Sequence, residues 1–161
     1  MLTFEQMIVR LAVAVVLGAL IGLEREWIGK EAGVRTNIMV AAGSTIFAII
    51  SISLPYLIAV SSENLPEVIA RNSGFLGVIA NVVVGIGFLG AGIIVKHDMH
   101  VRGLTTAATV WFTSSIGVLV GIGLAIFATF ATVSMVFLLV VLRKINLIPR
   151  TNIKGGEPID D

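Results

Sequence analysis

Apolar residues fall into long blocks rather than a short alternation. Residues 6–23, 37–60 and 74–95 form three of them, and 104–142 forms a fourth that runs almost unbroken for 39 residues. A helix rising about 1.5 Å per residue needs about 20 apolar residues to cross a bilayer. The fourth block is therefore long enough for two helices, and Gly121-Ile122-Gly123 divides it. The pattern predicts five helices, at about 6–23, 37–60, 74–95, 105–121 and 123–142. Together they form an all-α, five-transmembrane-helix bundle over residues 1–145, followed by a flexible tail at 146–161.

Composition supports the bilayer as the solvent. The 161 residues are 57% hydrophobic and 13% charged, with a mean hydropathy of +1.02, whereas a soluble domain carries roughly 25% charged residues. With no cysteine, disulfides, thiol catalysis and cysteine-held metals are excluded. A net charge of +1 leaves no nucleic-acid footprint. Arg10 sits inside the first block, no basic region precedes it, and "GLEREW" offers no small-residue cleavage site. The first block is therefore expected to be a retained helix rather than a signal peptide.

The basic residues are unevenly distributed. With the N-terminus outside, Arg25, Lys30, Arg35, Lys96, Arg102, Arg143, Lys144, Arg150 and Lys154 share the cytoplasmic side, and Arg10 and Arg71 the other. That bias orients the bundle with its C-terminus cytoplasmic. The tail "TNIKGGEPIDD" is polar, and no soluble domain is expected after it.

Small and polar residues inside the spans are the next signal. Gly85, Gly87 and Gly90 spell G-x-G-x-x-G, a dinucleotide-binding pattern. That pattern needs a strand before it, a helix after it and an acid about 20 residues on. Here it lies within a lipid-length block, and the next acid is Asp98. The glycines, with Gly92, read instead as a close-packing face of a central third helix. Gly18 and Gly22, and Gly117 and Gly121, repeat the four-residue spacing. Asn81, in the same helix, calls for a hydrogen-bond partner within the bundle. Asn37, Ala41, Ser44, Ala48 and Ser51 share one face of the second helix. Thr106, Thr109, Thr113 and Gly117 share one face of the fourth. These stripes read as packing seams, with a narrow solute pathway as the alternative. At an offset of 70, Gly22, Gly33, Thr36, Val40, Ser44 and Ile46 match Gly92, Gly103, Thr106, Val110, Ser114 and Ile116. A parallel two-helix repeat would produce that match.

The loops carry the charge. In "GLEREWIGKEAGVRTN", Glu24, Arg25, Gly33, Arg35 and Thr36 suggest a cytoplasmic ionic cluster. Glu26–Lys30 and Glu31–Arg35 would pair if the helix continued, and Thr36 or Asn37 could cap the second helix. In "KHDMHVRGLTT", His97, Asp98 and His100 are ligand types without a fourth partner, so no metal or other cofactor is assigned. Gly103 with Thr105 and Thr106 reads as a turn and a cap. No nucleophile–base pair can be assembled, and an enzyme is not expected.

The segments "LGALIGLEREWIGKEAGVRTN" and "GIGFLGAGIIV…VRGLTTAATVW…IGVLVGIG" together resemble the MgtC/SapB family of bacterial inner-membrane proteins, over residues 7 to 142. The family's pattern falls on Glu24, Arg25, Gly33, Arg35 and Thr36, then on Gly85, Gly87, Gly90, Gly92, Gly103, Thr105, Thr106 and Trp111. Gly77 and Asn81 depart from it, where Arg and Gln are common. The chain is expected to be a short, SapB-like member lacking the soluble C-terminal domain. The resemblance implies a compact helix bundle with an external N-terminus. It also implies roles in growth at low magnesium and survival inside macrophages, and contacts with other membrane proteins, the F-type ATP synthase among them. A non-enzymatic regulator follows, with self-association into a homo-oligomer as a further expected contact. The alternative is a small transporter or channel for Mg2+ or another small solute.

Overall fold

A computed structural model describes residues 2–59, 65–71 and 74–145. Helix α1 (Phe4–Trp27) begins with a capping box, in which Thr3 and Gln6 each accept the other's backbone N–H. Helix α2 (Val34–Ile58) follows a short loop, and the seven-residue α3 (Leu65–Arg71) comes next. Helix α4 (Gly74–Ile93) leads into an antiparallel hairpin of β1 (Val95–His97) and β2 (His100–Arg102), in which Lys96 faces Val101. Helices α5 (Leu104–Ile122) and α6 (Ala125–Ile145) complete the chain. Helices α1, α2, α5 and α6 are long and apolar enough to cross a membrane, while α4 contributes the shorter apolar stretch Gly77–Ile93.

The element boundaries differ from the pattern where local chemistry intervenes. Helix α1 continues through Glu24 to Trp27, and Gly29, at φ +69°, turns the chain. Helix α2 starts three residues earlier than its apolar block, and residue 60 lies outside the described residues. The loop after α4 is a hairpin, with Asp98 at φ +52° in its turn, a conformation that Asp tolerates. The break in the last block falls at Gly123, at φ +101°, whose N–H reaches back to the Leu119 and Val120 carbonyls. The tail at 146–161 lies outside the described residues.

Helices α1, α2 and α5 form the centre. Ala14, Leu17 and Ile21 of α1 are buried with Ala41 of α2, Ile116 and Val120 of α5, and Ala128 of α6. Helix α4 packs on α2 and α5 but not at the centre, so the reading of the third apolar block as the central packing helix is corrected. The reason lies in which glycines meet a backbone. A Cβ at Gly18 would stand 2.7 Å from the Asn37 carbonyl oxygen, and one at Gly22 would stand 2.5 Å from the Val34 Cα. A Cβ at Gly117 would collide with the Ala41 carbonyl, and one at Gly121 would lie 2.5 Å from the Ala48 Cβ. By contrast, Gly85, Gly87 and Gly92 meet nothing within 4 Å, and Gly90 makes only an ordinary 3.7 Å contact with Ala107.

Contacts pair Asn37 with Thr113, Ser44 with Ser114, and Ala48 with Gly121, so α2 and α5 run in the same direction. Ser44 and Ser114 stand 70 residues apart and share a 2.7 Å hydrogen bond. Among the described residues, this is the matched pair of the offset-70 comparison that hydrogen-bonds directly. Arg10 of α1 donates to the Gly121 carbonyl at 2.6 Å, placing a cation at the C-terminal end of α5, where the helix dipole favours it.

Gly117→Leu is expected to destabilise the bundle by about 1–3 kcal/mol or more through overpacking, because the α2 backbone cannot retreat. Gly87→Leu should leave stability unchanged. Thermal melting of both variants in the same detergent checks the contrast.

Candidate functional site

The polar residues gather at the end of the bundle where α1 turns into α2. Glu24 and Arg25 are buried, and Arg25 donates to one oxygen of the neighbouring Glu24 carboxylate. The other oxygen, Oε1, is buried and has no hydrogen-bond partner. The remaining residues of the expected ionic cluster do not join this pair. Arg35 is exposed and Thr36 half-buried. Gly33 instead lies beneath Glu26, whose Oε2 would be 2.7 Å from a Cβ at Gly33.

Glu26 performs the capping that the sequence assigned to Thr36 or Asn37. Its Oε2 accepts the Val34 N–H at 2.9 Å, so a carboxylate satisfies the first turn of α2 and complements its positive end. Because the chain leaves the helix after Trp27, Glu26–Lys30 and Glu31–Arg35 are no longer on one helical face. Neither pair forms an ion pair among the described residues. At the start of α5, Gly103 is left-handed at φ +84° and no side chain caps the helix. Thr105 is exposed and Thr106 is buried. A Cβ at Gly103 would collide with the Ile93 carbonyl, so glycine is required there on two counts.

From this end a polar seam runs between α2 and α5. Asn37 is fully buried, and its amide donates to the Ala32 and Gly33 carbonyls at 2.7 and 2.9 Å. Its Oδ1 accepts the Thr113 hydroxyl at 2.7 Å. The Thr109 hydroxyl, nearby, donates to the Thr105 carbonyl at 2.9 Å. Deeper, Ser44 meets Ser114, and Thr45 donates to the Gly117 carbonyl at 2.8 Å. The two stripes therefore face one another and satisfy one another. With Gly117 and Gly121 pressed on α2, no open passage separates them.

The open space lies elsewhere. A groove of about 600 Å³ runs between α2 and α4, lined by Met39, Gly43 and Phe47 on one side and by Val78, Asn81 and Gly85 on the other. A smaller one of about 250 Å³ separates α4 from α5 beside Trp111 and Ser115. Asn81 is exposed, and its amide makes no hydrogen bond among the described residues, correcting the expectation of a partner inside the bundle. His97 stands 3.8 Å from Asp98 with both side chains exposed. Among the described residues no group of three or more His, Cys, Asp or Glu side chains comes together as a metal site.

Comparison with known proteins now bears on this architecture. The MgtC family model matches residues 11–147, which include α1 from residue 11 onward, α2, α4, α5 and α6, and the polar turn between α1 and α2. The chain belongs to the MgtC family. It is 42% identical over 146 residues to Protein MgtC of Salmonella typhimurium strain LT2, covering 88% of this chain and 56% of that protein. It is 45% identical over 133 residues to Protein MgtC of Brucella abortus strain 2308, covering 83% of this chain and 50% of that protein. The chain thus spans about half the length of the curated relatives it matches. No solved structure matches it.

In this MgtC-family chain, two structural contacts have no counterpart in the sequence pattern. One is the Glu26 cap, and the other is the Arg10 bond to α5. Both join residues that no local period connects. The only local hint was the pair Gly29 and Gly33, which bracket a stretch too short to be helical.

Two outcomes are expected. Replacing Asn37 and Thr113 singly and together, by Leu and Val, should give a coupling of about 0.6–1.7 kcal/mol, the range for hydrogen bonds between membrane helices. Glu26→Ala should speed amide exchange at Val34 and the following turn while leaving α5 protected, and hydrogen-exchange mass spectrometry reads both.

Proposed function

We propose that this chain is a non-enzymatic regulator of the bacterial inner membrane. It would act through contacts with other membrane proteins, in magnesium homeostasis or adaptation to stress and virulence. In this reading α4 is a fifth span. At about 1.5 Å per residue, Gly77–Ile93 spans about 25 Å, at the short end of the range for transmembrane helices. The N-terminus is outside and the basic loops are cytoplasmic. The two units α1–α2 and α4–α5 form a parallel repeat, with Ser44 and Ser114 at its axis.

The observation that carries the regulatory reading is the closed seam. A conduit lined by the stripes of α2 and α5 would need room between them. The Gly117 and Gly121 contacts leave none, and Asn37, Ser44, Thr45 and Thr113 spend their polar atoms on hydrogen bonds to one another, to Ser114 and to backbone carbonyls. What faces outward is an extensive apolar surface, Phe88 and Phe137 included, together with exposed cations at the turn between α1 and α2. Such a surface suits lateral contacts with other membrane proteins. The F-type ATP synthase is the candidate that family resemblance supplies, and a second copy is another.

A transport reading for Mg2+ or another small solute is left with the groove between α2 and α4, where the free Asn81 amide favours it. Flux into proteoliposomes of the purified chain separates the two readings. We expect gradient-driven Mg2+ flux no greater than in protein-free vesicles, and a membrane complex that copurifies with the chain. Robust flux abolished by Asn81→Leu or Thr109→Val would defeat the regulatory reading.

A further inference from the structure

We propose that the groove between α2 and α4 holds an anionic phospholipid, its phosphate on Arg35 and an acyl chain against Met39, Gly43 and Phe47. The inference rests on the chain crossing the bilayer and not on the regulatory reading.

Arg35, Met39, Gly43 and Phe47 recur every four residues on α2 and so form one row on its surface. Met39, Gly43 and Phe47 line the groove, and Arg35 extends the row one turn toward the end of the bundle. Side chains lean toward a helix's N-terminus, so the guanidinium reaches away from the groove, toward the headgroup layer. From Arg35 to Phe47 the row rises about 18 Å, slightly more than one leaflet of a hydrocarbon core of about 30 Å. The groove itself, from Met39 to Phe47, accounts for about 12 Å of that rise, most of a leaflet, and the cation stands one turn beyond its mouth.

The groove exists because two facing positions lack side chains. A Cβ at Gly43 or Gly85 would meet nothing within 4 Å. Its volume of about 600 Å³ falls within the roughly 300–1,000 Å³ of ligand pockets. Apart from the Asn81 amide on the α4 wall its lining is apolar, and the Ser44 hydroxyl at its edge is engaged with Ser114. Arg35 is exposed and makes no hydrogen bond or ion pair among the described residues. Lys96, likewise exposed, follows the other wall's helix at the same end. An apolar trough with unpaired cations at one end is complementary to a molecule with an anionic head and a hydrocarbon tail. Since the tail gains little by leaving one hydrocarbon phase for another, the discrimination comes from the head: the guanidinium pairs with a phosphate in either lipid, but only phosphatidylglycerol, with no ammonium of its own, brings it a net negative charge.

The full chain, reconstituted in nanodiscs of equal phosphatidylglycerol and phosphatidylethanolamine and released for native mass spectrometry, tests this. Phosphatidylglycerol should be retained in roughly five-fold preference, the contribution of one basic residue near an anionic surface. Arg35→Gln should remove the preference without lowering the melting temperature. Gly43→Leu fills the trough where a side chain has room, so the fold is kept and retention of both lipids should fall. Three outcomes would overturn the proposal: equal retention of the two lipids by the unaltered chain, a preference that survives Arg35→Gln, or retention indifferent to Gly43→Leu. Mg2+ flux through the same protein is a separate readout, so this proposal and the regulatory one can fail independently.

Discussion

Everything in this bundle depends on how closely α2 and α5 approach. Lipid tails offer helices no hydrophobic reason to associate, so contact between them must come from packing and hydrogen bonds. Gly117 and Gly121 remove the side chains that would hold the two backbones apart. The approach then brings Asn37 to Thr113 and Ser44 to Ser114, and lets Thr45 reach the Gly117 carbonyl. Steric absence and polar pairing thus reinforce one another. Without the glycines the hydroxyls would not reach. Without the hydroxyls the glycines would hold together only weakly packed surfaces.

That central contact explains the placement of the other helices. Helix α1 uses Gly18 and Gly22 to lie against the first turns of α2, and its Ala14, Leu17 and Ile21 fill the space beside α5. Helix α6 closes the cluster through Ala128. Helix α4 packs on the bundle through Ile86, Gly90 and Ile93, and grooves flank it on both sides. The polar turn is then fastened from α1 by Glu26 at Val34.

Much of the fold was legible because lipid imposes a length on every apolar block. The blocks became α1, α2, α4, α5 and α6 within a few residues, and the stripe Asn37–Ala41–Ser44–Ala48–Ser51 is buried throughout. The candidate site was less legible. Spacing shows that glycines share a face, but not what the face meets. Gly117 and Gly85 look alike in the chain, yet one touches a backbone and the other open space. The expected ion pairs assumed that α1 continued past Trp27. The turn at Gly29 ended it, and Glu26 was left for a partner eight residues away. Arg35 has no ion pair among the described residues, because Glu24 pairs with Arg25 and Glu26 caps Val34.

The bond from Arg10 to Gly121 has a bearing on how the molecule is made. The two residues are separated by 111 positions. At a synthesis rate of about 5–20 residues per second, roughly 6 to 22 s pass between them. During that interval the guanidinium of α1 cannot yet meet the Gly121 carbonyl. The bond is therefore a latch between a segment made earlier and a helix end made later, and it can close only once α5 has been synthesised.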